Sequence, residues 1–144
     1  MSIVPFASRA RRRVFIDSNV PLYMLSADVR KADIAQRILE AGGFASVQVL
    51  NEIAAVLHGK MRIEWTVVHD LLAAVRATCL IGVATLPVHE RALSIAERHG
   101  IGIHDAQIVA AALDAGCSVL YTEDLQHGQI FERRLRVTDP FRIA

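Results

Sequence analysis

Cysteine is scarce in this chain: Cys79 and Cys117 are the only two in 144 residues. Both lie in apolar surroundings without metal-ligand spacing, so they read as buried free thiols and not as a disulfide framework. No apolar run approaches the roughly 18 residues needed to span a bilayer, which excludes a membrane partner of that kind. The opening MSIVPFASRARRRVF has no apolar stretch long enough for a secretory signal, and points to a cytoplasmic protein. Glycine-rich phosphate loops are missing. Neither G-x-x-x-x-G-K-[ST] nor G-x-G-x-x-G occurs, and Gly100-Ile101-Gly102 is too short to count. There is no G-x-S-x-G elbow. The histidines at 58, 69, 89, 99, 104 and 127 contain no H-x-x-x-H pair, which disfavours zinc. Aromatic residues are only 6% of the chain, so Trp65 does not suggest a stacking platform for single-stranded RNA.

What the chain has in quantity is apolar residues, 53% of the total, with a positive mean hydropathy of +0.33. That indicates one domain with a well-filled core. The net charge of +1 conceals an asymmetry. Arg9, Arg11, Arg12 and Arg13 sit together near the start, and outside them acids outnumber bases. We therefore read residues 1–13 as a basic N-terminal extension and 14–144 as a single domain. A nucleic-acid partner would have to be held by local patches and metal, because the global field does not attract it. Lys60, Arg62, Arg133, Arg134 and Arg136 read as solvated surface.

Strand and helix signals alternate. Val14-Phe15-Ile16 is a short β-type run ending at Asp17-Ser18-Asn19, with Pro21 at an early helical position. Residues 30–41 carry apolar positions at helical spacing and stop at Gly42-Gly43. A strand is expected over Phe44–Val47, a helix over Val49–Leu57 ending near Gly59, and a helix over 64–78. A strand over Ile81–Ala84 follows, then a helix from Pro87 to Arg98 closed by Gly100. His104–Leu113 is helical and almost wholly apolar, hence central. Ser118–Tyr121 and Leu135–Val137 complete the strands. The pattern is α/β, with a mainly parallel sheet and helices on both faces.

In such sheets ligands bind at the carboxyl ends of strands. Asp17 and Asp124 each follow directly on such an end. Glu52 and Asp105 lie in the first turns of helices. Taken singly, each has an ordinary explanation: Asp17 as a helix cap, Glu52 as a partner of the helix dipole, Asp105 as a cap after Gly102, Asp124 as a turn residue. Gathered at one mouth, they would repel one another and raise each other's pKa without a cation between them. Magnesium suits such a site, because it takes oxygen ligands and keeps several waters.

The strings Val14–Tyr23, Val49–Ile53, Ile103–Ala112 and Leu120–Leu125 resemble, in order, the four acid-bearing motifs of the PIN domain. More narrowly they resemble the VapC-type ribonuclease toxins of bacterial toxin–antitoxin pairs. The resemblance runs from about Val14 to Val137. It implies a PIN-like (Rossmann-like) three-layer sandwich and a Mg²⁺- or Mn²⁺-dependent endoribonuclease. It further implies metal ligands at Asp17, Glu52, Asp105 and Asp124, with Asn19 and Thr122 supporting them. The nucleophile would be an activated water, leaving 3′-hydroxyl and 5′-phosphate ends on the RNA substrate. A homodimer and a cognate antitoxin covering the acidic groove are implied as partners. Two other functions keep the same fold: a housekeeping RNA-processing nuclease, and an inactive RNA- or protein-binding module. Glu123 adjoins Asp124, but the motif favours Asp124. His104 stands where the family pattern suggests an aromatic or small residue.

Overall fold

A computed structural model of the chain describes residues 12–142. Its centre is the run Val14-Phe15-Ile16, strand β1, all three residues of which are buried. A strand buried on both faces is characteristic of parallel sheets covered by helices. After β1 come α1 (Asn19–Leu22), a 3₁₀ turn (Tyr23–Leu25), α2 (Val29–Ala41), β2 (Gly43–Ser46), α3 (Val47–Ala54) and a π-helical stretch (Ala55–Lys60). Then follow α4 (Trp65–Thr78), β3 (Cys79–Gly82), α5 (Leu86–His99), α6 (Ile103–Asp114), β4 (Val119–Tyr121), β5 (Ile130–Phe131) and β6 (Leu135–Thr138).

The six strands lie in the order β3-β2-β1-β4-β6-β5, all parallel except β5 against β6. Strands β1 to β3 step outward in one direction, and the chain then returns past them to β4. Right-handed crossovers therefore place α1–α4 on one face and α5–α6 on the other. In register, Phe15 lies beside Phe44 and Leu120, and Phe44 beside Leu80, so these side chains share the α5–α6 face. The approach of β2 to β1 demands glycine. A Cβ on Gly43 would stand 2.6 Å from the Val14 carbonyl oxygen.

The expected α/β architecture is present, with several boundaries displaced. Strand β2 gives Val47 up to α3, because the Ser46 hydroxyl caps that helix by accepting from the Val49 amide at 3.3 Å. The third strand begins at Cys79, two residues before its expected start. Helix α4 closes at Thr78, whose hydroxyl turns back to the Ala74 carbonyl at 2.9 Å, and the chain extends at once. The expected helix over Val49–Leu57 is α3 continued into the π stretch, where the Met61 amide reaches back five residues to the Val56 carbonyl at 2.9 Å. The short strand β5 was not anticipated. Its turn to β6 uses Glu132 and Arg133 at φ 50° and 57°, without the Asn-Gly or Asp-Gly signature of a tight hairpin. Of the expected N-terminal extension, residues 1–11 lie outside the described residues. The Arg13 carbonyl belongs to the sheet's edge network, accepting from the Ser118 amide at 2.9 Å and the Val119 amide at 3.3 Å. Among the described residues no helix is long and apolar enough to cross a membrane.

Candidate active site

The adjacency of β1 and β4 decides what stands at the carboxyl edge. Ile16 pairs with Tyr121, and the Asp17 amide continues the ladder by donating to the Tyr121 carbonyl at 3.0 Å. One residue further on each chain, Asp17 faces Thr122. Both are buried, Asp17 at 3% exposure and Thr122 at 0%. Such a carboxylate must be hydrogen-bonded. The Ser18 amide donates to its Oδ1 at 2.7 Å, and the Thr122 hydroxyl donates to its Oδ2 at 2.8 Å. Burial still wins: it pushes the Asp17 carboxyl up to about 7, although the two hydrogen bonds pull the other way. The nearby charges of Glu52 and Asp124 raise it further.

Thr122 also collects the strand-end loop. While donating to Asp17, its oxygen accepts from Asn19 Nδ2 at 3.1 Å and from the Asp124 amide at 3.1 Å. Asn19 Nδ2 donates in addition to Asp124 Oδ2 at 3.0 Å, which turns that carboxylate toward β1. Glu52 arrives from α3. The Ser18 hydroxyl donates to its Oε2 at 2.9 Å, and Gln48 Nε2 donates to its Oε1 at 3.2 Å. Asp105 arrives in the first turn of α6, half-buried, and its carboxyl accepts no hydrogen bond from the described residues. Its pKa is raised by burial first, then by the charges of Asp124 and Glu52, while His104 pulls it down.

The four acids thus act on one another electrostatically, although Glu52, Asp105 and Asp124 each come from a different element. None has a lysine or arginine within ion-pair distance among the described residues; the ion pair there is Arg91–Glu132. Two ordinary explanations fall away. Asp105 is not a cap, since Gly102 occupies that position, and Glu52 is not in a first turn, since α3 starts at Val47 and has no acid in its first turn. Among the described residues no three histidine, cysteine, aspartate or glutamate side chains stand close enough to form a ready-made metal cage. The donor set is nevertheless suited to a hard cation: it consists of oxygens carrying uncompensated negative charge. One further atom is consistent with that. Asn19 Oδ1 is buried without a hydrogen-bond partner, and turning the amide over would set this oxygen against the Asp124 carboxylate. These features fit a hydrated divalent cation, held partly through water, better than a tightly ligated one.

Two residues at the site went unanticipated. Ser18 reads in the sequence as a helix cap. Gln48 gave a usable signal, because it precedes Glu52 by four positions and shares its helix face. The neighbouring acid Glu123 is accounted for elsewhere: the Tyr23 hydroxyl donates to its two oxygens at 2.8 and 3.0 Å. It lines a groove of about 310 Å³ with Asn19, Leu22, Leu25 and Met61. The His104 side chain is exposed, and its carbonyl is what the site uses, accepting from Gln48 at 3.5 Å.

Residues 14–132 match the family model described as PIN domain. The chain belongs to the PIN domain family. Solved structures with the same fold agree. A chain of a toxin–antitoxin complex from Klebsiella pneumoniae superposes with a TM-score of 0.66 at 20% identity, over 90% of this chain and 99% of that one. A chain of FitAcB from Neisseria gonorrhoeae gives 0.61 at 21% identity, over 90% and 99%. VapC20 of Mycobacterium tuberculosis, described as a Sarcin-Ricin loop cleaving toxin, gives 0.59 at 19% identity, over 77% and 89%. No curated protein matches the sequence. As a PIN domain, the chain has the six-stranded, mostly parallel sheet with helices on both faces that its alternating pattern implies.

Proposed function

We propose that this PIN domain is a metal-dependent endoribonuclease and the toxin of a toxin–antitoxin pair. The observation that carries the reading is the buried Asp17 carboxylate, gripped by the Thr122 hydroxyl and the Ser18 amide and acted on by the charges of Glu52 and Asp124, which also act on Asp105, with no ion-paired cation among the four. Asp17, Glu52, Asp105 and Asp124 would hold Mg²⁺ or Mn²⁺, directly or through water. When bound, the ion supplies charge neutralisation at the scissile phosphate and makes water an accessible nucleophile near neutral pH.

The chain's own groups do the placing. Thr122 and the Ser18 amide hold the Asp17 carboxylate in a single orientation. Asn19 aims Asp124, and Ser18 with Gln48 aims Glu52. Asp105 is the least restrained of the four, so it is free to adjust as RNA approaches. Cleavage in this manner leaves 3′-hydroxyl and 5′-phosphate ends.

The toxin assignment and the cognate antitoxin draw support from the similarity to a chain of a toxin–antitoxin complex; the homodimer is proposed on the family resemblance alone. A housekeeping RNA-processing nuclease would use the same site; growth arrest on expression, relieved by a neighbouring antitoxin gene, separates the two. The direct test is incubation of purified protein with structured RNA and Mn²⁺, with and without chelator. Cleavage that persists in chelator, or in Asp105→Asn, would overturn the reading.

A further inference from the structure

Glu52, like Asp17, is held by two donors from different parts of the chain. Ser18 holds one oxygen and Gln48 holds the other. The same Gln48 nitrogen also reaches the His104 carbonyl at 3.5 Å, one residue before Asp105. An amide nitrogen carries two hydrogens, and both are used here. Reversing the amide would press its oxygen against two acceptors, so its orientation is settled by chemistry. One side chain therefore links α3, which carries Glu52, to the first turn of α6, which carries Asp105.

We infer that Gln48 is a positioning residue that fixes the Glu52 carboxylate and its separation from Asp105, and thereby sets the affinity of the site for a divalent cation. The inference rests on the metal-dependent reading given above. Like charges separate when nothing restrains them, and Glu52 stands in a helix from which its side chain can swing to water. Gln48 opposes that swing by donating to Glu52 itself and by anchoring on a carbonyl that cannot move without α6. Groups that orient metal-binding side chains in this way are worth about 10- to 100-fold in metal affinity.

The surroundings allow a clean test. On its other side Gln48 forms part of the wall of a largely apolar cavity of about 330 Å³, together with Leu80, Val83, Val88 and Ala111. Leucine at position 48 removes both donors and finds apolar neighbours. The experiment compares the full-length protein with Gln48→Leu, using Mn²⁺ binding by electron paramagnetic resonance and melting temperature in chelator and in Mn²⁺. We expect about 10-fold weaker Mn²⁺ binding and a smaller Mn²⁺-induced rise in melting temperature, with melting in chelator unchanged or higher. Equal Mn²⁺ affinity in the two proteins overturns the inference. So does lower melting in chelator with unchanged affinity, since that is the signature of a packing role alone. If leucine prevents folding, Gln48→Met keeps the length without the donors and is held to the same outcomes. A wild-type protein that binds no Mn²⁺ overturns the metal-dependent reading itself, and this inference with it.

Discussion

The Thr122 hydroxyl donates to Asp17 Oδ2 at 2.8 Å across the junction of the two central strands, 105 positions apart in sequence. The same oxygen accepts from Asn19 and from the Asp124 amide, so every hydrogen-bonding capacity of that hydroxyl is used. Thr122→Val keeps the shape and removes all three contacts. We expect a loss of about 1–3 kcal/mol in urea unfolding, since buried polar partners are left unsatisfied. RNA cleavage should fall by about 10- to 100-fold, because two acids lose their orientation.

The pH dependence of stability follows from Asp17. Its carboxyl is raised from 3.8 to about 7, chiefly by burial. The folded protein therefore binds a proton more tightly than the unfolded chain does. That contribution to stability is fully present below pH 3.8 and is lost as pH rises through about 7. In chelator, this group makes the protein more stable near pH 5 than near pH 8. On the proposed metal-dependent reading, Mn²⁺ should reverse the trend by binding the ionised carboxylate. Thermal melts at the two pH values, with and without the ion, measure both effects.

Neutralising that carboxyl should separate stability from activity. Asp17→Asn abolishes cleavage while melting at or above the wild-type temperature in chelator at pH 8. A large loss of stability in that variant would mean that the Thr122 and Ser18 contacts outweigh the repulsion they offset.

The two neighbouring acids on the strand-end loop should behave differently. Glu123 is engaged by Tyr23, whereas Asp124 is turned toward the cluster by Asn19. Glu123→Gln is expected to retain cleavage within about threefold, a change worth roughly 0.6 kcal/mol in the barrier. Asp124→Asn should lose at least about 100-fold. Initial rates on a single labelled RNA decide between them.

Gly43→Ala should be costly although the change is one methyl group. The new Cβ would press on the Val14 carbonyl at 2.6 Å, in backbone that cannot yield without parting β1 from β2. Overpacking of this kind costs about 1–3 kcal/mol, which chemical denaturation resolves.

Much of this architecture was legible because local signals and tertiary packing agree. The continuous apolar runs of β1 and β4 announce buried parallel strands, and Asp17 and Asp124 follow them directly. Glu52 and Asp105 were harder. Each is an acid on a helix, and only the return of the chain from β3 to β4 brings α6 over the same edge as α3. The resemblance to the PIN family supplied that convergence before the structure did. Gln48 carries one sequence signal, its four-residue offset from Glu52 on the same helix face, but its link to α6 appears only when the His104 carbonyl stands beside it. The displaced starts of α3 and β3 came from Ser46 and Thr78, whose hydroxyls bond to nearby backbone and move boundaries by one or two residues.

The 105-residue span between Asp17 and Thr122 has a consequence for the chain while it is being made. Strand β1 cannot acquire its β4 neighbour until residue 121 has left the ribosome, and Asp124 follows three residues later. Earlier nascent lengths carry Asp17, Glu52 and Asp105 but lack the hydroxyl that orients the first and the fourth acid altogether. A nascent chain that stops short of Thr122 therefore presents the acids without the hydrogen bonds that order them. The site is completed only when the first strand and the fourth are both free to pair.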